Sequence, residues 1–426
     1  MKVLVIGGGG REHAIIWKLS QSSAVKRIYC APGNAGTAKL AENVNIPAED
    51  VTALCKFAKQ EKIGLAIVGP EDPLCSGAVD MFEAEGIRAF GPPKAAAALE
   101  GDKAFAKLVM RQRAVPTAES RTFTSYDDAR SYIATRDAGL VVKAAGLAKG
   151  KGAIVCDEPS DALLAVERIM SKREFGAAGD TVVVEERLVG PEASILAFVD
   201  GRNIYIMESA QDHKPIGEGD TGPNTGGMGA YSPTPVVTDE VLSLVERQVF
   251  VPVVDAMQRE GTPYRGVLYV GLMLTHNGPK VLEFNCRFGD PEAQPILFRL
   301  KSDLLEAIDA VIDGRLDKIT LRWDPRPSVC VVMASGGYPG EYRKGIEIFG
   351  LDTAATSDDV IVFHAGTKLV GDKVVTAGGR VLGITARGET LAGACTLAYA
   401  AVDRIQFDGA YCRRDIAYRA LGGTLA

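Results

Sequence analysis

Residues 282–292 read LEFNCRFGDPE. Side chains alternate along a β-strand, so Glu283, Asn285 and Arg287 would share one face and Phe284, Cys286 and Phe288 the other. A carboxylate and an amide oxygen two residues apart offer hard donors to a divalent cation. A guanidinium beside them offers a fork to a carboxylate or phosphate. Such a face could hold a cation and an anion together. It equally describes a half-buried strand whose polar side meets water, and one strand alone does not separate the two.

A strand needs a sheet and a body behind it. The 426 residues suffice for about three domains. Over the first hundred, apolar runs at 3–6, 27–31 and 65–69 alternate with helical patterns near 11–20, 51–61 and 76–86, which predicts βαβ units and a small doubly wound parallel-sheet domain. FGPPKAAAALEGDK (90–103) reads as a connector. Strands at 140–144, 153–156 and 181–186, with helices near 126–135 and 160–170, predict an appended α+β lid over about 117–190. A helix near 238–260, strands at 267–274 and 280–285 and a helix near 301–313 predict the body beneath it. Pro325 and Pro327 mark a second boundary, followed by strands at 329–334, 360–366 and 379–386 and a helix near 390–404. The expected class is therefore multi-domain α/β, divided as 1–101, 102–326 and 327–426, the last a small α+β domain.

Composition is that of a folded protein, 46% apolar and 24% charged with mean hydropathy +0.06. A net charge of −6 argues against a nucleic acid or an anionic membrane as general partner. The eight cysteines, with neither a CxxC pair nor metal-ligand spacing, predict reduced core residues. The opening MKVLVIGGGG has too short an apolar run for a signal peptide, and no run approaches a membrane span, so the cytoplasm is the expected location.

Four further loops carry candidate chemistry. GGGGREH (7–13) follows a strand and opens a helix, where backbone amides suit an anion; Glu12 stands where a dinucleotide fingerprint needs its last glycine, which demotes an oxidoreductase. PGNAGT (32–37) and VGPEDP (68–73) follow the next strands, at the edge where open α/β sheets bind ligands. VVKAAGLAKGKGA (141–153) joins glycines and lysines as a cover for a polyphosphate, although it could be a solvated basic turn. TGPNTGGMGAYSP (221–233) is too rich in Gly and Pro for a helix or central strand. His213, in QDHK just upstream, is left unassigned.

Taken together, GGGGREHA (7–14), APGNAGT (31–37), IVGPEDPL (67–74), KAAGLAKGKG (143–152), SAQDHKPIGEGDTGPNTGGMGAYSP (209–233), EFNCRFGDPE (283–292), GGYPG (336–340) and FHAGTK (363–368) resemble the phosphoribosylamine–glycine ligase family of the ATP-grasp superfamily, in the family's order over nearly the whole chain. The resemblance implies a central ATP-grasp body under the lid. It also implies ligation of 5-phosphoribosylamine and glycine, with ATP converted to ADP and phosphate through an acyl phosphate, in purine biosynthesis. Small molecules would be the partners, with transient contacts to neighbouring pathway enzymes.

By that resemblance Glu283 and Asn285 hold magnesium or manganese, and Arg287 faces the glycine carboxylate or the transferred phosphate. Lys103 and Lys143 are the nucleotide lysines. Residues 146–152, including Gly150, Lys151 and Gly152, form a mobile phosphate-covering loop. Glu185, Glu186 and Leu188 belong to the adenine hinge, and Glu192 takes the ATP ribose. Gly9, Gly10, Arg11, Asn34, Gly36, Thr37, Pro70 and Glu71 face the sugar phosphate. Asp212, expected to be catalytic, lies with Asn224, Gly226, Gly227, Met228, Asp290 and Glu292 where glycine and the amine meet.

Three departures stand out: Gly8 where relatives commonly carry Asn or Ser, Ala145 where the family frequently has Asp, and no carboxylate on the strand VLYVGLML. The alternatives are an ATP-grasp ligase for another acid–amine pair, and a nucleotide-binding subunit without turnover.

Overall fold

The computed structural model describes residues 1–148, 150–355 and 357–422. Its first sheet is parallel throughout, in the order Glu42–Asn43, Arg27–Pro32, Lys2–Gly7, Leu65–Val68, Arg88–Phe90. Lys2–Gly7 is central, and Val3 to Ile6 are wholly buried, as a strand covered on both faces requires. The expected helix at 76–86 is broken: Glu71–Ser76 and Ala78–Ala84 are separated by Gly77 at φ +92°, which a side chain would resist.

The body sheet is antiparallel, in the order Ile204–Ile206, Glu192–Asp200, Arg265–Thr275, Gly278–Asn285. Glu192–Asp200, an internal strand of this sheet, escaped the sequence reading. So did the helix Ala293–Arg299, all seven of whose residues are buried. The lid is a second antiparallel sheet, Ser120–Phe123, Val182–Glu186, Leu140–Ala144, Ala153–Cys156, with the helices Tyr126–Ile133 and Pro159–Val166 against it. First sheet and body share one apolar core: Val5, Ile15, Phe198, Phe288 and Ile296 lie in a single buried cluster.

The last sheet runs Gln211–Asp212, Gly229–Ser232, Ser328–Ala334, Arg380–Arg387, Val360–His364. Two of its strands come from the stretch 211–232. Gly229–Ser232 lies inside the sheet with every residue buried, contrary to the expectation that TGPNTGGMGAYSP excludes a central strand. The four residues GAYS hold no proline, and Gly229 is close enough to the Cys330 carbonyl that a Cβ would sit 2.7 Å from it. Among the described residues no helix is long and apolar enough to cross a membrane.

Two buried imidazoles join the first sheet's layer to the last. His13 Nδ1 accepts the His364 backbone N–H at 2.8 Å, and His364 Nδ1 lies 3.1 Å from Thr367 Oγ1. Burial, aided by His364 and Lys39, lowers His13 to about 3, and burial with Lys39 lowers His364 to about 4. Both values lie below that of an unfolded histidine, so the unfolded chain binds more protons. Their contribution to stability is complete above about pH 6.5 and is lost as pH falls toward the folded values. Glu100 and Asp212, both raised to about 7 by burial, act with the opposite sign. The test is therefore a difference: between pH 7 and 5, His13→Asn should lose less unfolding free energy than the unaltered chain, by about 2 kcal/mol. Equal losses in urea titrations at the two pH values would contradict this.

Candidate active site

The opening strand ends where body and lid meet. A bulge at Leu282 sets Glu283 opposite Gly271 and Val281 opposite Leu272. Beyond it the alternation is as expected: Phe284, Cys286 and Phe288 are buried, while Glu283, Asn285 and Arg287 are partly open. From the lid, Lys143 Nζ donates to the Leu282 carbonyl at 3.0 Å and pairs with Glu185 at 2.9 Å. Lys103 Nζ donates to the Gly146 carbonyl at 3.2 Å. Burial opposes ionisation of Glu283, but Lys214, Lys143, Lys103 and Arg287 outweigh it and hold the carboxyl below its ordinary range.

The donor set fits a cation shared with a ligand. Lys214 Nζ stands 3.9 Å from Glu283, and Asn285 Oδ1 accepts only a 3.3 Å bond from Arg287. Among the described residues no three His, Cys, Asp or Glu side chains cluster to hold a metal, and Arg265–Thr275 adds no carboxylate. An ion at Glu283 and Asn285 would need most of its oxygens from phosphate or water.

Arg287 is less free than expected. It pairs with Glu100 Oε1 at 2.8 Å and Glu71 Oε2 at 3.3 Å. Glu71, expected at the sugar phosphate, thus stands beside this guanidinium; burial opposes its charge, yet Arg287 and Arg11 lower it to about 2. Glu100, which the sequence reading missed, also accepts the Cys286 N–H at 2.6 Å, and burial lifts it to about 7 against Arg287.

The expected nucleotide residues are held by more contacts than their spacing suggested. Glu185 is buried between Lys143 and Lys107, the latter at 3.2 Å, so its carboxylate is committed. Glu186 accepts from Glu119 N and pairs with Lys280 at 2.7 Å. Leu188 is half-buried, and Glu192 pairs with Lys214 at 3.0 Å. In the expected cover, Gly150 has φ +75° with open space at its Cα, Lys151 Nζ reaches the Pro339 carbonyl at 3.1 Å, and Gly152 is buried against Ala148. Lys149 lies outside the described residues. Ala145 uses its backbone, donating to Thr181 and accepting from Lys103.

The first loop borders a cavity of about 410 Å³ lined by Gly8, Gly9, Glu12, Pro47, Pro70 and Asp290 among others. It is not an empty nest of amides. Glu12 accepts the Gly9 N–H at 2.6 Å and pairs with Arg11 at 2.6 Å. Arg11 also donates to the Phe288 carbonyl at 3.1 Å, and its N–H lies 3.4 Å from Asp290. Gly10 faces Gln294, 2.5 Å from where a Cβ would stand. Asn34 accepts from the Gly36 and Thr37 amides and donates to the Gly8 and His364 carbonyls. The side chains of Asn34 and Thr37 therefore shape the loop, leaving chiefly backbone for a ligand. A Cβ on Gly8 would stand 2.6 Å from the Gly33 carbonyl, so an Asn or Ser here requires the PGNAGT loop to shift.

On the other side, Asp212 is buried near Lys214, Glu192 and Glu292. Burial raises its carboxyl to about 7, with Lys214 and Arg419 opposing and the two glutamates assisting. Glu292 accepts from Tyr269 at 3.1 Å and Ser194 at 3.4 Å. Arg380, another residue missed, gathers this side by donating to the carbonyls of Gly226 and Asp290 at 2.5 and 2.6 Å. Gly227 N donates to Thr225 Oγ1, Asn224 is exposed, and Met228 is wholly buried, so its side chain is core rather than contact. His213 is also buried, accepting from Ala417 N, which explains it without chemistry.

The chain matches the phosphoribosylglycinamide synthetase N domain over residues 1–100, the ATP-grasp (A) domain over 101–293 and the C domain over 328–419. It is 54% identical to the phosphoribosylamine–glycine ligase of Rhodopirellula baltica, covering 98% of each chain. The crystal structure of phosphoribosylamine–glycine ligase from Thermotoga maritima superposes with TM-score 0.82 at 32% identity, over 97% of this chain and 100% of that one. The fold extends further: biotin carboxylase from Campylobacter jejuni, in complex with β-γ-ATP, gives TM-score 0.76 at 15% identity over 97% and 93% of the two chains.

Proposed function

The chain belongs to the phosphoribosylglycinamide synthetase family of ATP-grasp proteins, and from that premise we propose that it ligates glycine to 5-phosphoribosylamine with ATP, giving glycinamide ribonucleotide, ADP and phosphate. The observation that carries this reading is the juxtaposition of Glu283, Asn285 and Arg287 with Lys103 and Lys143 in a chain similar to such ligases along its whole length.

A glycine carboxylate oxygen attacks the γ-phosphorus and ADP leaves. The amine nitrogen of the second substrate then attacks the glycyl carbonyl carbon. Phosphate departs with the original carboxylate oxygen, and the nitrogen gives up a proton. Lys103 and Lys143 bind the polyphosphate, and Arg287 orients the reacting anion. Asp212 accepts the amine proton, its burial suiting it to hold one near neutral pH. A divalent cation at Glu283 and Asn285, magnesium or manganese, would spread the polyphosphate charge.

On this reading residues 1–101 take the sugar phosphate, 102–326 take ATP beneath the 117–190 lid, and 327–426 close the acceptor side. Work in the cytoplasm, with passing contacts to purine-pathway enzymes, belongs to the same proposal.

Oxygen label in the glycine carboxylate should appear in the released phosphate, and release should require both glycine and phosphoribosylamine. Formation of AMP, or of unlabelled phosphate, would overturn acyl-phosphate ligation. Release driven by a different acid–amine pair would favour another ligase of the same fold.

A further inference from the structure

Residues 211–220 meet the candidate site on one face only. Asp212 and Lys214 point toward Glu192, Glu283 and Glu292, while His213 between them turns the other way. Gln211–Asp212 is an edge strand of two residues, paired on one side with Gly229–Ser232. Such a short edge cannot fix a side chain unaided.

What grips it from behind is the chain's last ordered stretch. Arg419 Nη1 donates to the Asp212 carbonyl at 3.1 Å, while its Nη2 and Nε hold Asp220 Oδ2 at 2.6 and 2.9 Å. Tyr418 OH donates to the same oxygen at 2.6 Å, and Arg413 Nη1 reaches Asp220 Oδ1 at 2.9 Å and the Pro215 carbonyl at 3.0 Å. Ala417 N donates to His213 Nε2 at 3.0 Å, and Asp415 accepts the Gly219 N–H at 2.9 Å. Asp220 sits at φ +58°, a conformation that costs a non-glycine residue free energy and persists only where its surroundings impose it. Arg413 is wholly buried and paired bidentately with Asp415, which makes the clamp rigid.

We propose that the segment 413–419 is a positioning element for the ligation step, with Arg419 bridging Asp220 and the Asp212 backbone so that Asp212 and Lys214 are held at the reacting amine. The inference rests on the reading of Asp212 as the group that accepts the amine proton. Arg419 touches no substrate; it acts through Asp212. A guanidinium is required because a single side chain must serve a carbonyl and a carboxylate in one plane, which an ammonium cannot do.

In the full-length protein with Mg-ATP, glycine and phosphoribosylamine, Arg419→Gln should lower kcat on the order of 10²-fold, the scale of an ångström-sized misplacement. KM for ATP should stay unchanged, because the Lys103 and Lys143 side is untouched. Phosphate released per ligated product should rise above one, because glycyl phosphate would still form and would wait for a misplaced amine. Arg419→Lys should recover part of kcat. If Arg419→Gln does not fold, Tyr418→Phe carries the test: it removes one neutral donor from Asp220 and should raise the phosphate-to-product ratio with a smaller fall in kcat. A ratio of one with unaltered kcat in a folded Arg419→Gln or Tyr418→Phe protein would overturn the proposal, provided Asp212→Asn is impaired. Full activity of Asp212→Asn would overturn the underlying role of Asp212 instead, so the two failures are distinguishable.

Discussion

Replacing Glu283 with Gln should lower turnover by about 10²–10³ at saturating magnesium, the usual cost of losing a preorganised charge at a phosphoryl-transfer site. Four cations surround this carboxylate and keep it ionised against burial. The substitution keeps its shape and removes only the charge. Its nearest ion-pair partner stands 3.9 Å away, so little folding energy is at stake. The melting temperature should move by no more than a few degrees. Full activity at saturating magnesium would return Glu283 to the rank of a solvated strand residue.

Replacing Arg287 with Met should cost more, because stability and activity fall together. Ligation should drop by at least about 10²-fold once the reacting anion loses its guanidinium. Glu71 and Glu100 would also lose their shared partner, and breaking such a pair typically costs about 3–5 kcal/mol. That loss should depend on pH. Glu100 already sits near 7 with Arg287 beside it, above its unfolded value. Without the arginine it rises further, so the folded state binds the extra proton and stability falls as pH increases. The difference in melting temperature between variant and parent should therefore be larger at pH 8 than at pH 6. A pH-independent difference would show that Glu100 is not the group left uncompensated.

How far the sequence could lead depended on whether a residue's partners were local. The face of Glu283, Asn285 and Arg287 is a period-two pattern and survives in the structure. The parallel first sheet was likewise visible as alternating runs. Glu192–Asp200 escaped because ASILAFV is continuously apolar, and such a run has no period to distinguish a buried strand from a helix. Glu100 looked like an ordinary charge in an Ala-rich helix; its partners Cys286 and Arg287 are far away in the chain. Arg380 and the residues 413–419 carried no local signal either, because each acts on a loop contributed by a distant stretch. The reading of TGPNTGGMGAYSP failed by averaging: its Gly- and Pro-rich part is open, but its final GAYS is core.

The borrowed strands bear on how the chain is made. Gln211–Asp212 and Gly229–Ser232 leave the ribosome long before Ser328–Ala334, the strand on which their sheet is built. At roughly 5–20 residues per second the interval lasts several seconds, with backbone edges unpaired and available to any neighbouring nascent chain. The composition between them answers that hazard. Asp212, Lys214, Glu218 and Asp220 put charge into the segment, and Pro215, Pro223 and Pro233 interrupt its pairing potential at short spacing. The richness in Gly, Pro and charge that disguises a core strand on the page thus serves as a guard against aggregation during synthesis. Replacing those residues with better strand formers would give up that protection before the sheet could form.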